Sequence, residues 1–242
     1  MALANALNSQ VANANSGATN TFTVSNTSDT ASSAANIIAS VGGSSAGDAT
    51  HQAVVTGVTT WTWGVDNSDS DAWVLAASAA LGTTNVMRST TAGEITMPLQ
   101  SAFLAYLSST AVNASGDGTL FPVIADTEVF DQNSDYNNAT GVYEAPVTSR
   151  VTLNVNCFWF SGTAITNMTM QISTSNRIYQ TQIDLAALGG GTEQGGNFSM
   201  LCDMDAGDTA TFITGTTDTG GKIDDLLGSA TVRTAFSGYI AC

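Results

Sequence analysis

The chain has 242 residues, 43% of them apolar and only 10% charged, with a formal net charge of −15. That length and apolar content can bury a large core and suit one or two domains, and we expect two. The charge excludes nucleic acid as a partner, because phosphate backbones are bound by clustered Lys and Arg, and here Arg88, Arg150, Arg177, Lys222 and Arg233 are scattered. The same shortage argues against an anionic membrane surface.

At the N-terminus, Leu3, Leu7 and Val11 stand four apart with Ala2, Ala6 and Ala14 beside them, which predicts a short helix within residues 1–18. A helix this short rarely persists alone in water, so the segment is expected to dock on another surface as an anchor. It lacks a basic n-region and a continuous apolar h-region, so it does not read as a signal peptide, and no apolar run is long enough for a membrane span.

Residues 19–107 read as a β-rich module. The stretches NTFTVSNT, ANIIASVGG, HQAVVTGV, TWTWGVDN, DAWVLAAS, TNVMRSTT and GEITMPLQ are short strand candidates between Gly, Asn, Asp and Ser turns. An apolar patch from Phe103 to Leu107 ends the module, and residues 108–119, with their Gly-Asp-Gly break, are expected to be a linker. From residue 120 to 242 a second run of strands follows. Its best member, SRVTLNVNCFWFS, sends Val151, Leu153, Val155 and Cys157 to one face and Thr152, Asn154 and Asn156 to the other. Turn signals about every ten residues predict a sandwich or jelly roll. The glycine-rich LGGGTEQGGN lacks the Lys of a phosphate loop and reads as a surface loop. A β-rich chain with one Lys has few charged guards for its sheet edges, which points to an assembly.

Candidate chemistry is sparse. Asp66, Asp69 and Asp71 in DNSDSD could gather around calcium, but no glycine or bidentate Glu follows at the required spacing, so they read as a polar turn; Asp203, Asp205 and Asp208 are judged the same way. The one histidine, His51, leaves no Ser-His or Cys-His pair unless it alone carries the chemistry. Asp126, Glu128, Asp131 and Asp135 could pair as glycosidase carboxylates, yet nothing sets a separation between two of them. Cys157, Cys202 and Cys242 lack paired zinc spacing and read as free thiols. The five Asn-x-Ser/Thr sequons match what so much Asn, Ser and Thr supplies by chance. No catalytic residue, cofactor or metal is expected.

The second half resembles the tumour necrosis factor-like jelly roll of complement-type globular heads. Tyr136, Asn137, Thr140, Gly141, Tyr143 and Pro146 match the family's opening stretch, Asp205, Gly207 and Asp208 its Asp-x-Gly-Asp, and Phe236, Ser237, Gly238 and Tyr239 its close. The Gly and aromatic expected after the proline are replaced by Ser149, Arg150 and Val151. The resemblance implies a homotrimer with Tyr143, Phe158, Phe160, Phe236 and Tyr239 on strands near its axis. More loosely, GVDNSDSDAW (residues 64–73) and LGTTNVMRSTTAGEITMP (81–98) resemble modules of bacteriophage fibre and virion-surface proteins. Together these imply an all-β, trimeric, non-enzymatic fibre or decoration protein on a virion surface, assembled in host cytoplasm and attached to other virion proteins by its N-terminus. The alternative is a receptor-binding tail spike that recognises or cleaves host surface glycan, with Tyr136 and Tyr179 as its loop aromatics.

Overall fold

The computed structural model describes residues 21–241. The helix expected within residues 1–18 lies outside them. Among the described residues the regular structure is β, with one 3-10 turn at Ala186–Leu188.

Residues 21–48 form no strand, against the expectation for NTFTVSNT and ANIIASVGG. Phe22 and Ile38 stay largely exposed there. A β-pattern without a neighbouring strand to bond has nothing to hold it extended. The next five expected strands form, as an antiparallel sheet in chain order: β1 (Ala49–Val55), β2 (Thr59–Asp66), β3 (Ala72–Ala76), β4 (Asn85–Ser89) and β5 (Ile95–Thr96). One face carries Thr62, Ala72, Val74 and Ala76, buried under Leu81 from the loop that follows β3, where the Thr62 hydroxyl donates to Ser78 O at 2.7 Å. The opposite face carries Trp61, Trp63 and Trp73.

The remaining strands build a two-sheet sandwich: β6 (Ala102–Tyr106), β7 (Ala111–Ser115), β8 (Phe121–Val123), β9 (Thr127–Asp131), β10 (Tyr136–Asn137), β11 (Val142–Glu144), β12 (Ser149–Ile165), β13 (Asn167–Thr174), β14 (Ile178–Asp184), β15 (Gly191–Met204), β16 (Thr209–Thr217), β17 (Asp224–Leu226) and β18 (Ala235–Ile240). One sheet runs β10-β11-β16-β13-β14 with β8 against β16; the other runs β7-β17-β12-β18-β6-β9 with β15 against β12. Apart from β10–β11 and β13–β14 the neighbours are non-sequential, which makes this a jelly-roll-like β-sandwich.

This topology moves the expected boundary. Phe103 registers with Gly238 and Tyr106 with Ala235, so β6 is a strand of the C-terminal sandwich and not the end of the first module. The expected linker at 108–119 contains β7, which pairs with β17. The glycine-rich segment is likewise no loop: from Gly191 it enters β15 and runs beside β12, Glu193 opposite Phe160 and Met204 opposite Ser149. A Cβ at Gly195 would lie 2.9 Å from Phe158 Cδ2, and one at Gly196 2.5 Å from Met168 Cε. At Gly195 and Gly196 the strand passes close to these side chains, and a larger residue would require them to shift.

The sandwich core follows the alternation of β12: Val151, Leu153, Val155, Cys157 and Trp159 are all buried. Facing them are Met168, Met170, Ile172 and Phe212. Trp159 Nε1 donates to Thr214 Oγ1 at 3.4 Å, which satisfies the indole inside the apolar layer. At the β6 end, Phe103 is the hub of an aromatic cluster, stacked on Tyr136 (centroids 4.8 Å) and Tyr143 (5.1 Å) and edge-on to Phe236 (5.1 Å).

Candidate assembly face

Cross-strand partners share a face, so register alone divides the five residues expected near a trimer axis. Phe236 lies opposite Val155 and Tyr143 opposite Ala210, both inward pairs, and neither ring is accessible. As axis residues these two are corrected: each fills the core of its own subunit. Tyr239 lies opposite Thr152, an outward position, and is 49% exposed. Phe158 and Phe160, of the same parity as Thr152, also face out; Phe160 is 42% exposed and Phe158 is partly covered by Arg233, whose guanidinium carbon sits 5.6 Å from its ring centre.

The outer face of the β12 sheet therefore collects Leu104, Phe130, Phe158, Phe160, Leu201 and Tyr239 around a polar strip of Asn154, Asn156, Ser199 and Ser237. Within the strip the Ser199 hydroxyl donates to Asn154 Oδ1 at 2.6 Å, and Asn156 Nδ2 donates to Arg233 O at 2.6 Å. At one end Asp203 pairs with Arg150 (2.5 Å) and Arg177 (3.8 Å), and at the other Glu193 and Asp225 register with Phe160 on the same face. The outer face of the other sheet differs in kind: Thr169, Gln180 and Gln182 line it around a buried Gln171, with Ile178 exposed at one end. Aromatic surface is thus concentrated on one side of the sandwich.

The acidic sets are occupied as turn and ion-pair groups. Asp66 is buried and its Oδ1 accepts from Ser68 N–H, the Ser68 hydroxyl and Asp69 N–H; Asp69 is clamped by the Arg88 guanidinium through Nε and, at 2.7 Å, Nη2. The Arg88 bond holds the Asp69 carboxyl below its ordinary range. Ser70 and Asp71 take left-handed conformations (φ 56° and 58°), so the motif is a tight β2–β3 turn. It brings no three carboxylates together, and among the described residues no His/Cys/Asp/Glu group suits a metal ion. Asp208 accepts from Asp205 N–H, the Ser175 hydroxyl and Asn176 Nδ2, closing the β15–β16 turn.

Three of the four carboxylates that could have served hydrolysis are engaged similarly, and Glu128 is exposed on β9. Asp126 accepts from the Ser108 N–H and hydroxyl, Asp131 from Asp135 N–H and Tyr136 N–H, and Asp135 from Asn133 Nδ2. His51 stacks on Trp63, ring centres 6.0 Å apart. Of the glycan-binding aromatics, Tyr136 is buried and donates its hydroxyl to Ala125 O at 3.0 Å, while Tyr179 packs partly against the core. A polar groove of about 640 Å³ does lie beside Tyr136, lined by Asp135, Asn137, Thr140 and Glu144, with no exposed ring to stack a sugar.

No protein-family model and no curated protein sequence matches the chain. Solved structures similar to it are globular domains of complement and tumour necrosis factor type. The globular domain of zebrafish complement 1qA is 11% identical with a TM-score of 0.42, covering 59% of this chain and 98% of that one. Murine APRIL is 12% identical (TM-score 0.42; 58% and 98%) and Eiger TNF from S. frugiperda 11% (TM-score 0.38; 59% and 94%). At these scores the fold rests on the strand pairing described above.

Proposed function

We propose that the chain is a non-enzymatic structural protein of a bacteriophage virion, a homotrimeric fibre or decoration protein displayed on the capsid or tail. The observation that carries the assembly is the outer face of the β12 sheet, where Leu201, Tyr239 and Phe130 stand exposed at one end and Phe160 farther along β12, while the other sheet's outer face carries Gln180, Gln182 and Ile178 and, among the described residues, no exposed aromatic ring. Apolar rings grouped on one side of a subunit are what a neighbouring subunit covers. The virion setting is supported by the resemblance of residues 64–73 and 81–98 to phage fibre modules, which here precede a sandwich head, and by the scarcity of charge.

Two measurements test this reading. Sedimentation of the recombinant chain at micromolar concentration is expected to give a trimer, and a folded monomer would overturn the assembly. Mass spectrometry of purified phage particles is expected to find the chain, and its presence in infected cells but never in particles would overturn the virion role.

The polar groove at Asp135, Asn137, Thr140 and Glu144 favours a second reading, a receptor-binding spike. A glycan array combined with a polysaccharide-clearing assay separates the two: binding or clearing supports the spike, silence the structural role.

A further inference from the structure

The N-terminal sheet is finished on one side only. Register puts Ala49, His51, Ala53 and Val55 of β1, Thr59, Trp61, Trp63 and Val65 of β2, Trp73 and Leu75 of β3, Met87 and Ser89 of β4 and Ile95 of β5 on the same face. Trp61 is 38% and Trp73 40% exposed, and Val55, Val65 and Ile95 are exposed with them. No Asp, Glu, Lys or Arg stands at any of these strand positions; Arg88 and Asp66 point to the covered side. The alternation within β2 is therefore inverted from a normal surface strand, with Thr62 and Asp66 buried and tryptophans out.

We propose that this face is the contact by which copies of the chain pack against one another through their N-terminal sheets, making the three tryptophans a shared core. The proposal rests on the trimeric reading of the head. Size supports that dependence: strands about 4.8 Å apart and 3.3 Å per residue give a face on the order of 400 Å². That is as large as the biggest apolar patch of a typical monomer, yet short of the roughly 800 Å² per partner of a stable interface, so it closes alongside a second contact. Charge supports a second copy as occupant, because subunits of net charge −15 repel except where neither presents a charged group. In a trimer the equivalent faces of the three subunits meet one another only around the threefold axis, and a face without charged groups can be covered there by its own copies. A flat array of tryptophans could also stack sugars, but most of its neighbours, Ala53, Val55, Val65, Leu75, Met87 and Ile95, cannot bond a sugar's hydroxyls, which leaves His51, Thr59 and Ser89 as the polar partners on the face. The segment leaving the sheet is tied to the head, since Gln132 Nε2 donates to Met97 O and Gln100 O at 2.7 and 2.8 Å.

The four tryptophans make the test direct, because Trp159 is buried in the head whatever the sheet does. Acrylamide quenching of the full chain, run with analytical ultracentrifugation, is expected to show an oligomer with all four shielded. The double variant Trp61→Asp, Trp73→Asp should raise the dissociation constant at least tenfold while Trp159 stays shielded and circular dichroism is unchanged. A trimer with quenchable tryptophans would overturn the proposal and leave the head's assembly standing; a monomer with quenchable tryptophans would overturn both. Shielded tryptophans in a monomer would also overturn it, giving the cover to the chain itself. So would quenchable tryptophans that become protected when purified host polysaccharide is added.

Discussion

Phe236 and Tyr239 stand three residues apart on β18 and end on opposite sides of the sheet, Phe236 over Val155 in the core and Tyr239 over Thr152 outside. Substitutions at the two positions should therefore fail differently. Phe236→Ala is expected to cost about 3 to 5 kcal/mol and to lower the melting temperature of the isolated subunit, because it empties part of the Phe103 cluster. Tyr239→Asp should leave the subunit folded and weaken association. Higher salt should strengthen association in the native chain, since it screens repulsion between acidic subunits more than it affects apolar contact. Thermal unfolding and sedimentation read the two effects separately, and a Tyr239→Asp chain that stays trimeric at native affinity would remove the β12 sheet from the interface.

Gly238 lies between those two residues for a steric reason. A Cβ there would come within 2.6 Å of Leu153 Cδ2 and 2.9 Å of Phe103 Cε1. Gly238→Ala should cost about 1 to 3 kcal/mol by overpacking. Gly47, with open space around it, is the control, and Gly47→Ala should change stability by less than about 1 kcal/mol. Equal urea midpoints for the two variants would contradict the packing described.

Asp224 is a buried carboxyl whose Oδ2 accepts from the Thr216 hydroxyl at 2.6 Å and whose Oδ1 has no partner among the described residues. Burial, with the Asp218 carboxylate nearby adding to it, pushes the Asp224 carboxyl above its ordinary range. A carboxyl with a raised folded-state pKa contributes stability that is full below its unfolded pKa of about 3.9 and is lost as pH rises through the folded value. Asp224→Asn should thus raise the melting temperature at pH 7 and have little effect near pH 3. Melting curves across that range check the sign; a variant less stable than the native chain at neutral pH would refute it.

Cys157 and Cys202 are both inaccessible, and burial pushes each thiol up to about 11. Both should resist alkylation at pH 8 in the folded protein and react on unfolding in guanidinium. Peptide mapping of iodoacetamide adducts reads each site, and fast modification of Cys157 in the native state would mean that the sandwich opens.

Several features were legible in the sequence because they are local. The alternation of Val151, Leu153, Val155 and Cys157 is a period-two pattern that any half-buried strand must show, and it predicted the core face of β12 correctly. DNSDSD read as a turn because Asp66 bonds the backbone two and three residues on. Other features were decided only by contacts between distant residues. The patch at Phe103–Leu107 became a head strand because its partner is Ala235–Tyr239, at the far end of the chain. Residues 191–196 became a strand because β12 offers a long edge, against which Gly195 and Gly196 pass close to Phe158, Met168 and Met170. Phe236 and Tyr239 look alike as aromatics of one motif, and only the register of β18 on β12 sends one inward and the other out. Tertiary structure decides such cases because the free energy of a strand lies mostly in its neighbours' hydrogen bonds and buried surface, which its own residues do not encode.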